Sequence, residues 1–184
     1  DTHEVLSFSL SDVMAGAEPE IAELPLRSDG AEPWPDGVVG FLDGEAQQHF
    51  MVAGEYNDTL YLLDSDGAPS TQIELNPAEF PSDLPRNLES WSLAPFRPDS
   101  LASFSFDHQV YIAASLKHSG AVGVWRVTDP DSIELTDVVK VGEHDPGGPD
   151  SESTIGTEGI AATPAGLILT ANEEESSVSL VGPL

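Results

Sequence analysis

Four carboxylates in this chain occupy matching positions in repeated segments: Asp36, Glu55, Glu158 and Glu173. Carboxylates brought within a few ångströms must share a cation or hold protons, because like charges raise each other's pKa. An all-oxygen donor set suits Ca2+, which takes about 6–8 oxygen ligands, backbone carbonyls and water included. The four therefore form a candidate metal site, with calcium the cofactor they suggest. The competing reading is structural: each carboxylate accepts backbone N–H groups within its own strand turn. That is the default for an acidic residue at a turn.

The remaining reactive side chains build less. His3, His49, His108, His118 and His144 show no metal-ligand spacing, and there is no His-Glu-x-x-His motif. Each reads as a surface or turn residue. His118, in Lys117-His118-Ser119-Gly120, is expected on the same face as Glu55 and Glu173. A Gly-x-Ser-x-Gly elbow and a glycine-rich phosphate loop are both missing. Asp64-Ser65-Asp66-Gly67 opens like a calcium loop without the rest of that pattern, and a hairpin turn explains it better. The acidic stretches 145–152 and 173–175 read as solvated charge. Trp34, Trp91 and Trp125 read as core or blade-edge packing, with Trp125 packing between blades. No catalytic residues are assigned, and the sequence favours a protein that is not an enzyme.

The elements that must position these groups are strands. Apolar and polar residues alternate in Val5–Leu10, Thr59–Leu63, Gln109–Ala113, Val122–Val127 and Ser177–Val181. Turn chemistry separates them, and 16 Gly and 15 Pro fit many short strands joined tightly. Residues 76–100 are Pro-rich and read as a long inter-strand loop, with room for one helical turn. Met51–Leu63 aligns without a gap on Leu169–Val181, at an offset of 118 residues (Glu55 to Glu173). Asp36–Phe41 and Glu158–Thr163 stand upstream as matching openings, and Val110–Ser115 with Ala121–Val127 is a looser copy between them. A strand–turn–strand unit thus recurs about every 55–60 residues, longer than the roughly 40–50 of common propeller repeats. The fold expected is an all-β propeller of four-stranded antiparallel blades, about three full and one partial. Closed propellers have about 4–8 blades. Residues 1–184 then form a single domain: a compact four-bladed ring, or part of a larger ring completed by further sequence. In such a ring, equivalent positions converge on one face around the axis.

Charge is the strongest compositional signal: 33 Asp and Glu against 6 Lys and Arg, a formal net charge of −27. Nucleic acid and anionic membrane surfaces are poor partners for such a chain. It repels itself in dilute salt, and the repulsion fades as the Debye length falls to about 3 Å near 1 M. Salt adaptation is the simplest reading, and divalent cation binding the sharper alternative. The absence of cysteine excludes disulfides, thiolate metal sites and a cysteine nucleophile. No apolar run approaches the roughly 20 residues that cross a bilayer. No signal or lipidation motif is visible, and the abrupt start at Asp1-Thr2-His3-Glu4 fits a processed product or a fragment. The missing signal is therefore uninformative.

Over residues 35–182 the chain resembles the choice-of-anchor I proteins and their relatives, the mesenchyme-specific cell-surface glycoproteins. The motifs that carry the likeness are short. They are Val110 to Asp129 running into Pro130; Thr157-Glu158-Gly159-Ile160 with Leu167–Glu173; and Pro35–Phe41 with Met51–Glu55, where Gly54 replaces the usual Asn. The resemblance implies an exported, periplasmic or surface-attached propeller without a defined catalytic mechanism. The Glu-Gly-Ile and Asn-Glu elements are also similar to phytase-like and esterase-like propellers, which would imply a calcium-dependent hydrolase. The chain departs from both: Thr157 stands where Pro is usual, and the lysines and arginines of a phosphate site are scarce. Three functions follow as expectations. One is an extracellular binding or structural propeller with a protein or cation partner on one face. The second is a calcium-dependent phytase-like phosphoesterase. The third is a subunit of a larger assembly, with further blades from another chain.

Overall fold

The computed structural model describes residues 4–7, 14–15, 22–25, 34–84, 95–141, 156–172 and 176–182. It is all-β, as the alternating runs require. Strands β1 (Glu4–Ser7) and β2 (Ala22–Pro25) pair in a two-stranded antiparallel sheet. Three larger sheets follow in chain order. Blade I holds β3 (Pro35–Leu42), β4 (Gln48–Gly54), β5 (Thr59–Leu63) and β6 (Pro69–Glu74). Blade II holds β7 (Pro98–Phe106), β8 (Gln109–Leu116), β9 (Ala121–Asp129) and β10 (Ser132–Lys140). Blade III is described as β11 (Thr157–Ala162), β12 (Ile168–Asn172) and β13 (Ser177–Val181). Each is an antiparallel meander, the blade of a propeller.

The registers make the blades superimposable. Gly54 pairs with Thr59, Leu116 with Ala121 and Asn172 with Ser177, so a four-residue turn closes the second hairpin of every blade. The last residue of each turn is left-handed: Asp58 at φ 49°, Gly120 at 53° and Ser176 at 48°. The gapless alignment of 51–63 on 169–181 is this shared register. Every first strand opens with an irregularity, at Pro35/Val38, Pro98/Leu101 and Thr157/Gly159. Asp36, Asp99 and Glu158 are therefore the equivalent second residues of β3, β7 and β11.

The same periodicity builds the core. Blade I turns Met51, Leu60 and Leu62 toward blade II, where Ile112, Leu116 and Trp125 meet them in one buried cluster. The opposite face of blade II sends Ala113, Val122 and Val124 against Ile168 and Val181 of blade III. Central strands read as near-continuous apolar runs because both faces are covered; all five residues of β5 are buried. Outer strand β10 alternates instead. Trp125 packs between blades as expected. It can do so because Gly123, two residues back on the same face, has no Cβ; one would fall within contact distance of the indole.

Tight turns are pinned by short polar side chains. Asp43 accepts the amides of Glu45 and Gln47 at 2.9 and 2.8 Å, and Asp64 those of Asp66 and Ala68 at 3.0 and 2.9 Å. Asp64-Ser65-Asp66-Gly67 is thus a hairpin turn, with Gly67 left-handed at φ 79°. The Pro-rich stretch 76–100 links β6 to β7. It carries a 3-10 turn at Pro77–Glu79, and its last three residues, Pro98–Ser100, open β7. Residues 85–94, Trp91 among them, lie outside the described residues.

Candidate carboxylate centre at the openings of the inner strands

First strands β3, β7 and β11 lie side by side in the described structure. Gly37 lets β3 and β7 approach closely, since a Cβ there would fall within contact distance of the Asp99 carbonyl oxygen. Asp36 and Asp99 are thereby drawn together, and Glu55 reaches them from the β4–β5 turn. One oxygen from each of Asp36, Glu55 and Asp99 lies within 4.8 Å of the others. Asp36 is exposed, while Glu55 and Asp99 are buried at 7% and 7% exposure.

Of the four carboxylates the sequence nominates, Asp36 and Glu55 belong to this trio. Glu158 instead pairs with the Lys117 ammonium, which also stands 3.7 Å from Asp99. Glu173 lies outside the described residues. Two groups were missed by sequence reasoning. Asp99 hides at the end of the Pro-rich stretch, although Pro35-Asp36 and Pro98-Asp99 repeat the same dipeptide at equivalent positions. Arg97 forms an ion pair with Glu55, lies 4.8 Å from the Tyr56 ring centroid and donates to the Tyr56 hydroxyl at 3.2 Å. His118 does share this face, with its Nε2 3.5 Å from the Arg97 guanidinium. It is buried rather than superficial, as is His49, which bonds Asp43 at 3.0 Å. His118 does sit in the β8–β9 turn, though buried there, whereas His49 lies within strand β4 and is buried, so its reading as a surface or turn residue is corrected. Trp34 is no core residue either: it is 48% exposed and packs edge-on against Tyr56, with ring centroids 5.2 Å apart.

The backbone at this centre is held hard. Trp34 at φ 37° and Arg97 at φ 55° are equivalent residues, each just before its blade's first strand. Left-handed backbone is unfavourable for such large side chains and persists only where the surroundings enforce it. Trp34 carbonyl accepts the Glu55 amide, and Arg97 carbonyl the Lys117 amide, both at 3.0 Å. The buried Asp58 carboxylate adds the Arg97 amide at 2.7 Å and the Phe96 amide at 3.1 Å. Ser115 ties the inner strands together, donating to the Glu158 carbonyl at 3.1 Å and accepting the Ser100 amide at 2.9 Å.

Electrostatics follow from burial. Loss of water pushes Asp99 up to about 6, helped by the neighbouring Asp36 charge and opposed by Ser100 and Lys117. Glu55 is also raised by burial, with the Arg97 charge pulling against it. Burial lifts Asp58 to about 7 in spite of its two amide donors. Burial would lower Lys117, but its contacts with Glu158 and Asp99 outweigh that and raise it. Among the described residues, the four carboxylates Asp36, Glu55, Asp99 and Glu158 face two cations, Arg97 and Lys117. Two negative charges are left over, the balance one divalent cation would restore.

Comparison with known proteins bears on the fold. No protein-family model matches the chain, and no curated protein matches it in sequence. Solved structures do match. A 6-phosphogluconolactonase-like protein from Bacteroides uniformis aligns over 97% of this chain and 44% of its own length, with TM-score 0.60 and 12% identity. A second such protein, from Bacteroides fragilis, aligns over 86% and 36%, with TM-score 0.56 and 11% identity. Virginiamycin B lyase from Staphylococcus aureus aligns over 98% and 48%, with TM-score 0.51 and 12% identity. By fold, then, this chain is a set of β-propeller blades. It spans less than half the length of these neighbours, and identities this low carry the architecture alone.

Proposed function

We propose that this chain is part of an exported or cell-surface β-propeller that works as a binding module and holds a divalent cation, calcium by donor type, at Asp36, Glu55 and Asp99. The observation that carries the cation is the meeting of these carboxylates from three separate elements, within 4.8 Å, beside too few positive charges to neutralise them. Carboxylate, backbone and water oxygens are what Ca2+ prefers. Glu158 stays paired with Lys117, whose ammonium stands 3.7 Å from Asp99. Export and surface attachment rest on the choice-of-anchor I resemblance of residues 35–182 and on the −27 charge. The test is thermal melting in EDTA, in micromolar Ca2+, and in NaCl of matched ionic strength. A midpoint rise specific to Ca2+, absent from Asp36→Asn, is expected. Identical responses to Ca2+ and NaCl would reduce the centre to a screened acidic patch.

A second reading, a calcium-dependent phytase-like phosphoesterase, gains one support. Of the six basic residues, Arg97 and Lys117 converge on the carboxylates, where a metal-bound phosphoester would need neutralisation. Calcium-dependent turnover of a generic phosphoester, lost in Glu55→Gln, would favour it over pure binding.

A further inference from the structure

Beside the carboxylates stands an aromatic pair. Trp34 and Tyr56 meet edge-on, with ring centroids 5.2 Å apart, and the Arg97 guanidinium lies 4.8 Å from the Tyr56 ring. Trp34 stands two residues before Asp36, and its carbonyl accepts the Glu55 amide at 3.0 Å. Indole and carboxylates therefore share one corner of blade I. By register the pair has a counterpart in blade II, Arg97 with His118, 3.5 Å apart. That counterpart is drawn inward: His118 is buried, and Arg97 is ion-paired with Glu55. The blade I pair is turned out, with the Trp34 side chain exposed. Backbone at φ 37° is unfavourable for so large a residue, and an indole left half in water regains little of that through burial.

Resting on the cation reading above, we infer that Trp34 and the ion form one binding site for a neutral sugar. The ion coordinates two adjacent hydroxyls, and the indole covers the C–H face of the ring. Three observations select this ligand class. One oxygen from each of Asp36, Glu55 and Asp99 fills part of the 6–8 positions that Ca2+ takes, leaving about three to five for other oxygen donors. Asp36 is exposed, so the ion has a side open to solvent, at the end of the strand that Trp34 precedes. A divalent cation neutralises the two surplus charges of the centre, and a chain at −27 repels further anions. Uncharged hydroxyl oxygens are thereby favoured over carboxylate or phosphate donors. A sugar ring carries such hydroxyls at its edge and C–H groups on its face, the match for an ion beside an amphipathic aromatic side chain. Tyr56, edge-on to the indole, holds that platform in place.

Saturation-transfer NMR on the 184-residue chain tests this with three neutral probes. They are the methyl glycosides of α-mannose, β-galactose and β-glucose, which between them present cis and trans vicinal diols. A Kd of about 1 mM is expected for a ligand of this size. In Ca2+, transfer to the ring C–H protons of at least one glycoside is expected, and EDTA abolishes it. Trp34→Ala weakens binding by about tenfold, and Trp34→Tyr, which keeps a ring in place, restores part of it. The Ca2+-specific rise in melting midpoint persists in Trp34→Ala, showing that the variant is folded and loaded. Wild-type protein that shows this rise but transfers to no glycoside leaves the cation standing and overturns the sugar site. Loss of the rise in wild type overturns both. Transfer that survives EDTA, or is unchanged in Trp34→Ala, overturns the sugar site as well.

Discussion

Replacing Asp99 by Asn should make the metal-free protein more stable while abolishing its response to calcium. Asp99 is held at about 6 against an ordinary 3.8, chiefly by burial and then by the Asp36 charge. A carboxyl whose folded pKa lies above its unfolded value costs stability once it ionises. Between about pH 4 and 6 the folded state holds a proton that the unfolded state has lost, so stability falls as pH rises. Above pH 6 the cost is complete. Two units correspond to about 3 kcal/mol at about 1.4 kcal/mol per unit. Asn removes the charge but also a Lys117 contact at 3.7 Å, and it leaves Ser100 Oγ a neutral amide oxygen as acceptor in place of a carboxylate, so a net gain of about 1–2 kcal/mol is expected. For a chain of this length each kcal/mol moves the midpoint by about 2–4 °C. The assay is calorimetry in EDTA at fixed NaCl, from pH 4 to pH 8. Asp99→Asn should match wild type near pH 4 and exceed it above pH 6, with no further rise on adding Ca2+. A variant less stable than wild type at pH 7.5 in EDTA would refute the claim that the carboxylates strain one another.

Four further outcomes are expected. Asp58→Ala leaves the buried amides of Phe96 and Arg97 without their acceptor and should cost about 2–4 kcal/mol by denaturant titration. Asp58→Asn should flatten the fall in stability between pH 4 and 7, because the Asp58 carboxyl is raised to about 7 and the unfolded chain ionises first. Arg97→Ala should lower the midpoint in EDTA, by stranding buried Glu55, and tighten Ca2+ binding by calorimetric titration, because an internal competing cation is gone. Gly123→Ala drives a Cβ into the Trp125 ring and should cost about 1–3 kcal/mol, read as lost melting temperature without lost Ca2+ binding.

How much of this was legible in the chain depends on the range of the interaction. Met51–Leu63 and Leu169–Val181 could be matched by eye because hairpin register and side-chain alternation are local, and equal turn lengths keep them in phase. The pairing of Asp36 with Asp99 is different. It depends on how closely β3 and β7 approach, which Gly37 permits and no local pattern declares. Arg97 looked like one more residue between prolines, yet its backbone is set by Asp58, 39 positions earlier. Glu158 was correctly ranked with Asp36 by position. Which equivalent carboxylate receives an ammonium partner depends on Lys117, in another blade, and repeat equivalence is silent on that.

The four-residue turns after β4 and β8 share length, register and a left-handed last residue, yet one begins with Glu55 and the other with Lys117. The same turn backbone carries two polar sets, Glu-Tyr-Asn-Asp and Lys-His-Ser-Gly, although Asp58 of the first also anchors the Phe96 and Arg97 amides. Exchanging only the first residues, Glu55 and Lys117, would redraw the polarity of the propeller mouth and leave that anchor in place.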